Sequence, residues 1–175
     1  MQNLFKVFAL VLLLTSCFPE NKEEVVRQIY FFDLQSYFNN QAAMLQKKAK
    51  NINKTVAKND LTEKKQIKIA NWKTELSLFI DADINKPTWK ESYLKDSTAT
   101  KIIYTAIDDD LKTQKIEINL DNGVPSKFVI STKEDNLLYH STENLEFIPD
   151  SLYVIKKHQK VFLLGENNYL INGLF

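Results

Sequence analysis

Lys115-Ile116-Glu117-Ile118-Asn119-Leu120-Asp121-Asn122-Gly123-Val124-Pro125-Ser126-Lys127-Phe128-Val129-Ile130 is the stretch that decides the fold. Ile116, Ile118 and Leu120 alternate with polar residues, as do Phe128 and Ile130, and Asp121-Asn122-Gly123 between them has turn chemistry. The pair reads as an antiparallel hairpin. Upstream, Ile102-Tyr104-Ala106 keeps the same period of two and is separated from Ile116 by Asp108-Asp109-Asp110. Downstream, Leu137-Tyr139, Leu145-Phe147, Leu152-Val154, Val161-Leu163 and Tyr169-Ile171 continue the series, and Gly165-Glu166-Asn167-Asn168 reads as the last tight turn. A further hairpin is expected from Asn51–Ala57 and Gln66–Ala70, with its tip at Asn59-Asp60.

Helical spacing precedes and interrupts these strands. Asn21 with Glu24 has the spacing of a capping box and opens a long pattern in which Phe31, Leu34, Phe38, Leu45 and Ala49 share one stripe. Its middle, Ile29 to Leu34, is apolar all round except for Asp33, so other elements should enclose it. Trp72, Leu76, Phe79 and Ile80 give a shorter second helix that fades before Pro87. The expectation is an α+β fold: a long N-terminal helix and a shorter one, packed on or wrapped by a curved antiparallel sheet of about seven to nine strands.

The chain has 175 residues, 44% of them apolar, with 23 Lys plus Arg against 22 Asp plus Glu. That size and balance suit one globular domain, expected over residues 23–175. Three glycines, none clustered, cannot make a phosphate-binding loop. One cysteine and two histidines exclude a disulfide framework, a zinc ribbon and a haem attachment motif. Balanced charge, with Arg27 the only arginine, argues against nucleic-acid binding, because the planar bidentate donor suited to base edges is nearly absent.

Residues 1–17 run from a start carrying Lys6, through apolar Val7–Leu14, to Thr15-Ser16-Cys17, the layout of a secretory signal. The apolar run is far below the roughly 20 residues of a spanning helix. Leu14-Thr15-Ser16-Cys17 resembles the lipobox of bacterial lipoproteins. The resemblance implies cleavage between Ser16 and Cys17, loss of residues 1–16 as a signal peptide, and a tether over residues 17–22. It also implies a diacylglycerol on the Cys17 sulfur and a further acyl chain on its amine. Several acyl chains hold a protein on a bilayer essentially permanently. Phe18 stands where an aspartate would signal inner-membrane retention in Gram-negative lipoproteins, so the resemblance favours the outer membrane, with the periplasmic face preferred to the cell surface.

Other constellations have bland readings beside sharp ones. Asp81-Ala82-Asp83-Ile84-Asn85 starts like a calcium loop, but Lys86 takes the glycine position and Ser92 the glutamate position. Asp108-Asp109-Asp110 reads as a solvated turn, so no metal is expected. His140 and His158 lie in strand patterns without a hydrolase motif around them, so no catalytic residue is assigned. Arg27, read as one turn after Glu23 on the first helix, is either a surface ion pair or an anchor for a partner or lipid phosphate. Asp96-Ser97-Thr98 and Asp150-Ser151-Leu152 resemble the short acceptor motif for O-glycosylation in some Gram-negative lineages, which implies modification of Ser97 or Ser151.

The leading expectation is a non-enzymatic, outer-membrane lipoprotein that needs no cofactor and binds other envelope proteins as an accessory or assembly subunit. The rival is a lipid or lipoprotein carrier, since a helix followed by an antiparallel meander looks, in architecture, like the lipoprotein-localisation factors with their half-open barrels. A carrier requires an apolar cavity, with Phe31, Phe38, Ile102, Phe128 and Val154 as its lining. A binding subunit requires those residues closely packed and an apolar patch exposed elsewhere. An envelope hydrolase would need a carboxylate beside His140 or His158 in a cleft.

Overall fold

The computed structural model describes residues 27–175. The capping box at Asn21 and Glu24, the signal sequence, and the lipidation and cleavage sites at Ser16 and Cys17 lie outside the described residues.

Nine antiparallel strands form one open sheet: β1 Asn51–Lys58, β2 Leu61–Lys68, β3 Tyr93–Ser97, β4 Lys101–Ala106, β5 Thr113–Asp121, β6 Val124–Asn136, β7 Tyr139–Ile148, β8 Leu152–Val161 and β9 Gly165–Leu174. Their order across the sheet is β2-β1-β9-β8-β7-β6-β5-β4-β3. The meander from β3 to β9 is therefore sequential, and β9 turns its free edge to β1. The turn at Asp121-Asn122-Gly123 has the expected chemistry, with φ of 50° at Asn122 and 80° at Gly123.

Among the described residues three α-helices accompany the sheet: α1 Leu34–Lys48, α2 Trp72–Glu75 and α3 Ser77–Asp81. The long helix begins later than its periodicity suggests. Asp33 is its N-cap and accepts a 2.9 Å hydrogen bond from the Ser36 backbone, so the one polar break in the apolar stretch marks the start. Residues 27–33 precede the helix, and Phe31 and Arg27 are not on it. The second helix is broken at Leu76, which is fully buried with φ −96° and ψ 12°, between the Asn71-capped α2 and α3.

Register explains where α1 sits. Ile102, Ile118, Phe128, Phe147, Tyr153, Gly173 and Lys54 are cross-strand partners in one row on the inner face. The next row is Tyr104, Ile116, Ile130, Leu145, Ile155, Ile171 and Val56. Leu34, Phe38, Ala42 and Leu45 of α1 are buried in the same core as these rows. The Phe38 ring packs 5.2 Å from Phe128, 5.1 Å from Phe147 and 4.9 Å from Phe79 of α3.

Candidate interaction surface

The expected cavity lining does not form a cavity. Phe38 and Phe128 are fully buried in close aromatic contact. Phe31, in the segment before α1, packs edge-on to Tyr93 and Tyr104 at 5.7 and 5.4 Å. Ile102 lies on the inner face, packed against the core. Val154 lies on the other face: its partners are Glu146 and Asn172, one residue out of phase with the buried row. The parity of β8 put Tyr153 and Ile155 inside, which forces Val154 out.

Arg27 is taken up within the chain. One terminal nitrogen donates to Asp33 at 2.8 Å and the other pairs with Asp83. Burial pulls its pKa down, but the hydrogen bonds and charges of Asp83 and Asp33 outweigh this and hold it above its ordinary value. Asp83 and Asn85, from the stretch that only begins like a calcium loop, close the same clamp. The Asn85 amide oxygen accepts from the backbone of Tyr30 and Phe31 at 2.8 and 2.9 Å, and its amide nitrogen donates to the Phe32 carbonyl. Among the described residues no group of His, Cys, Asp or Glu is arranged to hold a metal. Ser97 ends β3 and Ser151 precedes β8, and both are exposed. His158 meets Asn168 at 2.9 Å. His140 lies 3.3 Å from Asp135, at the exposed end of the β6–β7 hairpin.

What sequence reasoning missed stands at that same end of the sheet. Leu137 and Leu138, read as part of a strand, are the β6–β7 turn and are 98% and 65% exposed. Phe162, Leu163 and Leu164 are the β8–β9 turn and are 64%, 89% and 80% exposed. Gly165, expected within the turn, instead opens β9 opposite Val161. A 2.9 Å hydrogen bond from the Phe162 backbone to the Leu138 carbonyl joins the two tips, so the five exposed apolar residues stand on adjacent turns. The Asn136 side chain accepts from the Leu138 backbone at 3.0 Å and shapes the first turn, while Leu163 adopts a left-handed φ of 65° in the second. The available signal was the unbroken apolar run Val161–Leu164, since such a run in a turn breaks the usual pattern unless it is functional.

A small cavity of about 280 Å³ lies at the other end, between the C-terminus of α1 and the sheet. Leu45, Ile52, Trp72 and Phe175 line it, and Lys48, Lys50 and Asp150 complete it, with Lys48 ion-paired to Asp150.

No family model, curated protein or solved structure matches the chain. The functional reading therefore rests on the sequence and on this geometry.

Proposed function

We propose that this chain is an outer-membrane lipoprotein, lipidated on Cys17 and facing the periplasm, whose sheet domain is a non-enzymatic binding or assembly subunit of an envelope complex. The observation that carries the reading is the pairing of a closely packed inner face with the exposed tip patch of Leu137, Leu138 and Phe162–Leu164. A patch of contiguous exposed apolar side chains is characteristic of interaction sites. The sheet packs against α1 through Phe38, which touches Phe128 of β6 and Phe147 of β7, and this packing supports its role as a scaffold for those tips.

The test is intact-mass measurement and membrane fractionation of the full chain expressed in a Gram-negative host, with native electrophoresis of the extracted protein. The expected product lacks residues 1–16, carries lipid that Cys17→Ser abolishes, sits in the outer membrane and migrates in a discrete complex. An unlipidated periplasmic monomer would overturn the proposal. Sugar on Ser97 or Ser151 would show as an added mass lost in the corresponding alanine variant.

The cavity beside Trp72 favours a second reading, a carrier of an apolar ligand bearing a carboxylate, because its apolar floor meets Lys50, and Lys48, which the ligand would draw away from Asp150. Its volume is just below the usual range of small-molecule sites, which start near 300 Å³. That reading predicts saturable quenching of Trp72 fluorescence by octanoate but not by octylammonium. Equal responses to the two would remove it.

A further inference from the structure

We infer that the hairpin-tip patch docks a partner protein whose surface presents an apolar groove rimmed by lysine or arginine. This deepens the envelope-subunit reading and rests on it. Three observations select that occupant. First, the tips are unpartnered among the described residues and two hairpins jointly hold them, so the patch is a preformed feature rather than one loose loop. Secondly, Leu163 keeps a bulky apolar side chain in the left-handed region, where asparagine or glycine would be less strained and more soluble. Strain of that kind at an exposed apolar position points to use.

Thirdly, the rim on the β4–β5 side is acidic, while at the foot of the β8–β9 tip Lys160 is paired with Glu166 at 2.9 Å. Asp109 and Asp110 of the β4–β5 loop adjoin Glu134 and Asp135 at the end of β6, with only Lys112 and Lys133 among them. Asp108 lies on the same loop. This is a local surplus of negative charge in a chain whose total is nearly balanced. Such a rim is repelled by a bilayer surface carrying anionic lipids, which draws basic segments instead. It also opposes a two-fold contact between copies of this chain, since an isologous interface would bring the same acids face to face. A basic-rimmed apolar groove satisfies both parts of the patch.

The experiment places a photoreactive amino acid at Leu163, and separately at Leu138, in the full lipidated chain within its own membrane. Adducts are identified by mass spectrometry, with the lipid on Cys17 measured in the same sample. The expected result is one protein adduct from both positions, mapped to apolar residues flanked by Lys or Arg. The probe at Leu94, exposed on edge strand β3, should not give it. Asp109→Lys with Asp110→Lys should lower the yield about tenfold, as like charges meet across the rim. Adducts only with phospholipid or with a second copy, or no adduct, would overturn the docking proposal while a lipidated Cys17 leaves the anchor reading standing. A surviving protein adduct on a chain without lipid would uphold the docking surface and sink the anchor.

Discussion

At Leu163 two costs coincide: a left-handed backbone and a side chain almost wholly in water. The backbone alone costs a bulky L-residue about 1–2 kcal/mol, most of which asparagine avoids. Leu163→Asn should therefore raise the melting temperature by about 2–4 °C for each kcal/mol recovered, while weakening partner capture. Thermal melts and the cross-linking yield check the two halves together; a lower melting temperature would contradict the strain argument. Asp33 carries a different kind of sensitivity. Burial raises its pKa, but hydrogen bonds from Ser36 and the hydrogen bond and charge of Arg27 prevail, leaving it below its ordinary value. A depressed carboxyl pKa adds stability that is complete above about pH 4 and is lost as pH falls through the folded value. Asp33→Asn retains a capping side chain but not the charge, so it should flatten the acid limb of stability against pH, read by urea titration between about pH 2 and 6. Of these roles the sequence disclosed little. Arg27 was visible as the lone arginine, but Asp83, its partner 56 positions away, comes beside it only through folding.

Among the elements, β8 and β9 show how tightly one strand pair can depend on an absent side chain. The Tyr153 ring lies across Gly173, where an added Cβ would stand only 2.1 Å from a ring carbon. From there the Tyr153 hydroxyl reaches Glu75 of α2, which also receives Lys54 of β1 at 2.6 Å. Tyr153 is fully buried and has no room to yield. Gly173→Ala should cost about 1–3 kcal/mol by overpacking, seen as a lower denaturant midpoint at unchanged slope. Gly173→Ala with Tyr153→Phe tests whether the lost contact with Glu75 adds to that cost. The turns divide by legibility on chemical grounds. Asn59, at φ 51°, and Asn122-Gly123 announce themselves because their residues favour the left-handed region. Leu137-Leu138 and Phe162–Leu164 carry strand-like residues in turn positions, so periodicity absorbed them into the neighbouring strands.

Over the whole molecule, the period of two foretold a many-stranded antiparallel sheet, and nine strands form it. It could not say which face α1 would cover. Apolar residues stand on both: Val129 and Val154 share the outer row with Glu117, Glu146 and Asn172, so alternation alone left Val154 ambiguous. Only the register joining Phe128, Phe147 and Tyr153 fixes the choice. Helical periodicity likewise ran past Asp33, because Phe31 and Phe32 are as apolar as the helix they precede yet pack against the core from a bent, non-helical lead into it.

The place of β9 between β8 and β1 has a consequence for the order of manufacture. β1 and β2 emerge from the ribosome early and can pair with each other, but the far side of β1 waits for residues 169–174, its partners in β9. Until those residues exist, the growing chain holds two separate pieces of sheet and cannot close its core across them. Closure of the sheet thus depends on β9, which is made long after β1. A chain lacking residues 165–174 would have no seam to join its halves.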